Sequence, residues 1–302
     1  MSGAELEWPR TKRELQNHHM DSTVWNDFAF RPDDIVIATY AKSGTTWTQQ
    51  IVSQLVFNGA EKITVPDLSP WFDLRVPPNE MKLAAVESQT HRRFVKSHLP
   101  VDALVFSPQA KYLYIGHDGR DVMWSMYNHH ANGSETLFEA LNQTPGLVGP
   151  LFPERPTDVV KYFEEWLERD GYPLWSFWEN VANWWEIRDL PNVKLLQFAD
   201  MKADLGGKIR EIAKFLEISL DDAQLSLIEE HCAFDYMRRH ASEIAPGGGI
   251  FWNGGGETFI HKGTNGRWRD TLPEELSERY EEIAREKLGE ECAAWLAHGS
   301  QN

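Results

Sequence analysis

The segment Ile35-Val-Ile-Ala-Thr-Tyr-Ala-Lys-Ser-Gly-Thr-Thr-Trp47 runs a buried-strand pattern into a lysine, a glycine turn and a hydroxyl-rich helix start. That order suits an anion cradle. Gly44 lets the backbone approach a phosphate closely, the N–H groups from Ser43 to Thr46 are expected to lack intrahelical partners, and the helix dipole favours negative charge there. Thr46 with Gln49 also fits a capping box, so the segment can be read instead as a well-capped helix that binds nothing. Lys42 favours the cradle, because a cation just ahead of a helix N-terminus is otherwise an unfavourable neighbour. The pattern is not a Walker A loop, whose lysine follows the second glycine.

Two further strand ends carry chemistry. Phe94-Val-Lys-Ser-His-Leu-Pro100 places Lys96 and His98 two residues apart, on the same side of a strand end, where a base can stand beside a cation. Tyr112-Leu-Tyr-Ile-Gly-His-Asp-Gly-Arg-Asp-Val-Met-Trp-Ser125 leads from a strand through a turn into a helix that presents Ser125. Its plain structural reading is an Asp-Gly turn with Asp121 as helix cap.

The elements that must position these residues are legible from periodicity. Ile35 to Tyr40, Phe94 to Lys96, Tyr112 to Ile115 and Val193 to Phe198 are short apolar runs rich in β-branched or aromatic residues, bounded by turn or polar signals. Helical spacing follows at Ile51 to Val56, Val159 to Leu167, Leu174 to Trp185 and Ile209 to Leu216, and two acidic helices, Pro273 to Lys287 and Glu290 to His298, close the chain. Strands alternating with helices predict an α/β fold with a parallel sheet covered on both faces. Lys62 to Glu80, Ser134 to Pro156 and Ser242 to Thr258 read as long loops. Loops of that length in a compact domain are functional or disordered, and the glycine triplets flanking Phe251 and Trp252 suit either a floppy loop or a hinged lid.

Composition narrows the classes. The chain has 302 residues and a net charge of −16, which argues against a nucleic-acid or anionic-membrane surface. Cys232 and Cys292 are too few for a disulfide framework or a thiolate zinc site and read as small core residues. The N-terminus does not resemble a signal peptide, and no apolar run is long enough to span a bilayer, so the expectation is a cytoplasmic protein. The pairs His18-His19 and His129-His130 are expected to point apart, and no metal site is expected. Trp166, Trp175, Trp178, Trp184 and Trp185 read as core, whereas Trp71, Phe72, Tyr127, Phe251 and Trp252 are candidates for an apolar acceptor wall.

Together with Ala182-Asn-Trp-Trp-Glu186, Phe198-Ala-Asp-Met201 and His261-Lys-Gly-Thr-Asn-Gly-Arg-Trp268, these segments resemble the cytosolic-type sulfotransferase family in order and spacing, from about Asp34 to Trp268. The resemblance implies a P-loop-like single domain over residues 1–302, with a loosely ordered tail to about residue 20. It also implies use of 3′-phosphoadenosine 5′-phosphosulfate, PAPS, which leaves as 3′,5′-bisphosphoadenosine, PAP, with no metal. Lys42 would contact the bridging oxygen and phosphosulfate, cradled by Ser43, Gly44, Thr45 and Thr46, and Trp47 would stack on adenine. Lys96 would orient the sulfuryl group and His98 would be the general base. Ser125, Lys262 and Gly263 match positions that hold the 3′-phosphate, Phe234 matches an adenine contact, and Phe198 stands where the family usually has a tyrosine.

His117 and His261 replace two arginines of the family's 3′-phosphate site, with Arg120, Arg267 or Arg269 as possible substitutes. A neutral imidazole offers one donor where a guanidinium offers a fixed charge, so 3′-phosphate binding is expected to weaken as pH rises through the histidine range. After Trp268 the family's dimer motif is poorly matched, which leaves the oligomeric state open. The implied partner is a small, largely apolar phenol, alcohol or amine. Two rivals stand beside this reading: a phosphoryl-transfer enzyme with carboxylate-held magnesium, and a nucleotide-binding relative without catalysis.

Overall fold

The computed structural model describes residues 7–300. Four strands form one parallel sheet: β1 (Ile35–Thr39), β2 (Phe94–Ser97), β3 (Lys111–Gly116) and β4 (Val193–Gln197), in the order β2-β1-β3-β4. Ile35 pairs with Phe94 on one side and Lys111 on the other, and Tyr112 pairs with Val193. Every residue of β1 and β2 is buried. This is the signature of a sheet covered on both faces, and it is why these strands read as unbroken apolar runs.

Alternation along the strands divides the core. Ile35, Ile37, Phe94, Leu113 and Ile115 point to one face, packed against Ile51, Val52 and Leu55 of α1 (Thr45–Val56) and against residues 205–232. Val36, Ala38, Val95, Tyr112 and Tyr114 point to the other. There they meet α2 (Gly119–Ala131), α4 (Val159–Glu168), α5 (Phe177–Glu186) and α8 (Glu274–His298), while α3 (Glu135–Asn142) packs aside with Phe152. On the first face, α6 (Leu205–Phe215) and α7 (Asp222–Cys232) supply Ile209, Ile212, Leu225 and Ile228. The two closing helices meet at Gly289, whose φ of 75° and ψ of 164° interrupt α8.

The expected loops are more ordered than their composition suggests. Lys62 to Glu80 contains a short helix at Val65–Leu68, and its residues Pro70 to Phe72 line the outer edge of β2: Lys96 N–H donates to Pro70 O at 2.9 Å and Phe72 N–H to Lys96 O at 2.9 Å. Ser134 to Pro156 opens with α3. Ser242 to Thr258 is pinned to the end of α2, where Asn253 N–H donates to Asn132 O at 2.8 Å and Ser134 N–H to Phe251 O at 2.9 Å. The N-terminal segment was expected to be loose to residue 20. Residues 1–6 of it lie outside the described residues, but from Thr11 onward it is tied down, with Thr11 Oγ1 donating to Leu104 O at 2.8 Å and Met20 fully buried.

A buried ion pair joins the starts of β1 and β2. Arg93 meets Asp34 through Nε–Oδ1 at 2.7 Å and Nη2–Oδ2 at 2.5 Å, with its guanidinium 4.7 Å from the centre of the Phe28 ring. The carboxylate also accepts from Arg31 N–H at 2.7 Å. Removing one partner strands the other in a dry environment. Arg93→Ala should therefore lower stability by about 3–5 kcal/mol, read in urea as a lower midpoint with unchanged slope; a midpoint within error of the parent would contradict this.

Candidate active site

The site lies at the C-terminal ends of β1, β2 and β3, where parallel sheets bind ligands. Between β1 and α1 the backbone turns through two left-handed residues, Lys42 at φ 68° and Gly44 at φ 105°. For Lys42 that conformation is strained, and such strain persists where the surrounding structure imposes it. At Gly44 the constraint is steric as well, since a Cβ would stand 2.8 Å from Phe198 Cδ2. Ser43 N–H donates to Tyr40 O, so the amides without a partner among the described residues begin at Gly44 and run into the first turn of α1, not at Ser43 as the sequence pattern indicated.

The capping box expected at Thr46 and Gln49 does not form. Gly44 is the N-cap residue, and Gln49 Nε2 donates instead to Ser69 O at 2.7 Å. Thr45 Oγ1 lies 2.6 Å from Thr39 Oγ1, which ties the first turn of α1 to the end of β1. Likewise the cap of α2 is Asp118, which accepts from Arg120 N–H. Asp121 lies inside the helix and accepts from Gly266 N–H at 2.8 Å. Burial and the nearby Asp118 raise its pKa to about 6, although the Gly266 amide opposes this.

His98 is buried, and its Nδ1 lies 2.7 Å from Thr39 O. A carbonyl only accepts, so Nδ1 carries the proton and Nε2 of the neutral ring keeps a lone pair. Burial, with Lys96 and Lys42 nearby, holds the pKa of His98 well below the usual imidazole value. Asn180, reached through Tyr114, donates to His98 O at 3.1 Å, and His98 N–H donates to buried Asp73 at 3.2 Å. Asp73 also accepts from Trp71 Nε1 at 2.8 Å. Thr39, Asp73 and Asn180 were missed by sequence reading because their partners are distant along the chain.

The two lysines converge on this corner. Burial lowers Lys42 to about 7, with Lys96 adding repulsion, and burial lowers Lys96 to about 8, offset in part by Asp73. Lys42 Nζ stands 3.4 Å from His129 Nδ1 and 4.3 Å from the centre of the Phe259 ring, and Lys96 Nζ is 4.9 Å from that of Trp71. Trp252, between the glycine triplets, packs on His129 and Phe259 at 4.9 and 4.5 Å between ring centres. The aromatic loop therefore reaches the lysine through two rings.

Of the proposed wall, Trp71 does line His98, at 4.6 Å between ring centres. Phe72 instead faces the core with Trp25 and Phe28, Tyr127 pairs with Tyr162, and Phe251 packs beside the α3 cluster. Trp175 was read as core, and it is buried, but it also stands 5.9 Å from His98 between ring centres.

Of the remaining predicted residues, Trp47, Phe198 and His117 pack together as a second lobe. Phe198 lies edge-on to Trp47 and stacks on His117, at 5.3 and 4.2 Å between ring centres. Trp47 Nε1 donates to Cys232 O at 2.9 Å, and Phe234 is exposed, beside Gly263. Burial holds His117 at about 4 despite Asp118, so it is neutral near pH 7 without a bound anion. His261 is also lowered by burial and by Arg267, whose Nη1 is 3.1 Å from its Nδ1. Among the three arginines considered as substitutes, Arg267 is thus beside the lobe. Arg120 is committed to Asp118 and Glu281, and Arg269 lies over Trp268. Ser125 is half-buried on α2 and Lys262 is exposed.

A cradle of free amides, two desolvated cations and a neutral imidazole with an available lone pair can hold an anionic transferable group and take a proton from a nucleophile. Comparison with known proteins gives the arrangement a context. Residues 32–291 match the family model described as the sulfotransferase domain. The glycolipid sulfotransferase of Mycobacterium tuberculosis (strain ATCC 25618 / H37Rv) is 32% identical, covering 97% of each chain, and human sulfotransferase 1C2 is 26% identical, covering 86% of this chain and 85% of its own. Retinol dehydratase, solved with retinol and PAP, is 26% identical with a TM-score of 0.67, covering 88% of this chain and 84% of its own. A mouse sulfotransferase solved with PAP shares the fold at a TM-score of 0.71 and 21% identity, covering 91% of this chain and 92% of its own.

Gly44→Ala tests the cradle directly. The left-handed backbone and the contact with Phe198 should together lower stability by about 1–2 kcal/mol. Binding of inorganic pyrophosphate should weaken in parallel. Unchanged melting together with unchanged pyrophosphate binding would show that the turn does not depend on glycine.

Proposed function

The chain belongs to the cytosolic-type, PAPS-dependent sulfotransferase family, and from that premise we propose that it moves a sulfuryl group from PAPS to a hydroxyl or amine of a small, largely apolar acceptor, with His98 as general base. The observation that carries the reading is the lone pair of His98 Nε2, set by Thr39 O at Nδ1 and placed beside Lys42 and Lys96. When bound, PAPS supplies an activated sulfuryl group on a good leaving phosphate.

The free amides from Gly44 onward and Lys42 would form the P-loop-like cradle for the 5′ end, with Ser43, Thr45 and Thr46 around it. Trp47, Phe198 and Phe234 would hold the adenine between them, and Ser125, Lys262 and Gly263 the 3′-phosphate. Arg267, beside His261, supplies a permanent charge where His117 supplies none near neutrality. His98 would take the proton from the acceptor, while Lys42 and Lys96 favour the negative charge that develops on the departing oxygen. Lys42 can do so because its ammonium is desolvated and has no carboxylate partner within salt-bridge distance among the described residues.

The acceptor side supports an apolar body. Trp71 and Trp175 flank His98, and the relatives point the same way: retinol dehydratase has been solved with retinol and with androsterone, and the mycobacterial relatives are glycolipid sulfotransferases. The reading takes residues 1–302 as a single sulfotransferase-like domain.

The primary experiment is calorimetric titration with PAP and with adenosine 5′-phosphate, followed by turnover of phenol, alcohol and amine panels with PAPS. Tight PAP binding that needs the 3′-phosphate, with turnover, supports the reading; PAP binding no better than that of adenosine 5′-phosphate sinks it. His98→Ala should lower kcat by about 10²- to 10⁴-fold with the fold intact. Near-parent turnover would remove His98 from the role of base.

The lysine pKa values predict a second signature. Lys42 is lowered to about 7 from 10.5, and an anion beside it would draw the value back up. Binding PAP above pH 7 should therefore take up protons, and affinity should fall as pH rises from about 7 toward 10. Lys96, lowered to about 8, acts in the same direction. Titration in buffers of different ionisation heat reads the uptake; none at pH 8.5, with affinity flat over this window, would contradict the assignment.

A further inference from the structure

The pair His18-His19 has no part in the transfer just described. The structure turns the two rings onto each other: His18 Nδ1 and His19 Nδ1 are 2.5 Å apart, and both side chains are buried. His18 Nε2 lies 3.0 Å from Pro173 O, and a carbonyl only accepts, so His18 Nε2 carries its proton. Burial lowers the pKa of His18 and lowers that of His19 further, which keeps both rings neutral near pH 7. His18 Nδ1 is then a lone pair, and His19 Nδ1 must donate to it. The chain of protons ends at His19 Nε2, a lone pair with no hydrogen-bond partner among the described residues.

The location of that lone pair gives it meaning. The His19 ring lies 6.0 Å from Trp71 and 6.4 Å from Trp175 between ring centres, and the same two indoles stand 4.6 and 5.9 Å from His98. The His98 tautomer is set in the same way, by a backbone carbonyl at Nδ1. Two neutral imidazoles, each with an Nε2 that has no partner among the described residues, thus stand against the same pair of tryptophans, and His19 also packs edge-on to Phe152 at 4.9 Å between ring centres. A single hydroxyl can donate to only one of the two Nε2 atoms, whereas a molecule with two neighbouring hydroxyls can donate to both.

We propose that His19 is a specificity-determining residue that accepts a hydrogen bond from a second hydroxyl of the acceptor molecule, beside the hydroxyl whose proton His98 takes. The favoured acceptors are therefore vicinal diols and polyols on an apolar body. This inference rests on the sulfotransferase reading and names its substrate class. An ether oxygen in the second position would meet the His19 lone pair with its own and be rejected.

The test uses the full chain with phenol, catechol and guaiacol, together with decyl alcohol and its vicinal diol as an aliphatic pair. With PAPS, kcat/KM should be about 10- to 100-fold higher for each diol than for its partner, mainly through KM, with guaiacol no better than phenol. His19→Phe should remove the preference, bringing kcat/KM for each diol down to that of its single-alcohol partner measured with the same variant. His19→Gln, whose Oε1 can accept, should restore part of the preference. Diols and single alcohols used equally by the parent chain, or a preference that survives His19→Phe, would overturn the proposal. The guaiacol comparison needs no variant, so guaiacol used as well as catechol would overturn it even if His19→Phe failed to fold. Calorimetric binding of the same compounds to the PAP-saturated chain separates the two levels. Diol-selective binding that depends on His19, without sulfation of any compound, would support the His19 assignment and sink the transfer reading. His98-dependent sulfation of phenol with no diol preference would do the reverse.

Discussion

Two ammonium groups held close together in a desolvated corner are the constraint around which the rest of the site is arranged. Burial disfavours the charged form of both Lys42 and Lys96, and Lys96 adds repulsion on Lys42. The surroundings do not cancel the charge. Lys42 meets an imidazole nitrogen and an aromatic face, while Lys96 meets an indole and feels the buried Asp73 only in part. A corner of this kind suits an anion, which is the role proposed for it. It also explains how a chain with a net charge of −16 can hold an anion site: the positive potential is local, and low-dielectric walls preserve it.

The hydroxyl pair Thr39–Thr45 makes the corner one unit. Thr45 belongs to the first turn of α1, at the cradle, whereas Thr39 also touches the ring of the candidate base. The first turn of α1 and the ring of His98 are therefore joined by two hydrogen bonds through Thr39. Asp73 adds a link from the base to the indole of Trp71, so the acceptor wall is oriented by the same short network.

Features encoded within one strand or one turn were legible in the sequence. The four strands begin and end within a residue or two of the apolar runs, because a sheet buried on both faces needs uninterrupted β-branched and aromatic residues. The cradle was legible too, since its lysine and glycine precede the helix in sequence as they do in space. Contacts closed over long sequence separations were not. Asn180 reaches His98 across 82 positions and His18 reaches Pro173 across 155. Local rules also misled: Thr46 and Gln49 have capping-box spacing, but Gln49 finds a better-buried partner in Ser69. The rings of His18 and His19 were expected to diverge, as neighbours on a regular helix or strand do. They converge because that segment is irregular.

The strip from Pro70 to Phe72 that brings Trp71 to the base has another effect. An uncovered outer edge of β2 would be a row of unpaired amides and carbonyls on which another chain could pair. Both backbone groups of Lys96 are already bonded to the strip, which ends in an irregular turn held by Asp73. Trp71, the candidate acceptor contact, is thus delivered by the segment that occupies this edge of the sheet at Lys96. Any association between copies of the chain on this side would have to proceed through side-chain surfaces, and acceptor-wall changes that loosened the strip would carry an aggregation risk along with an altered specificity.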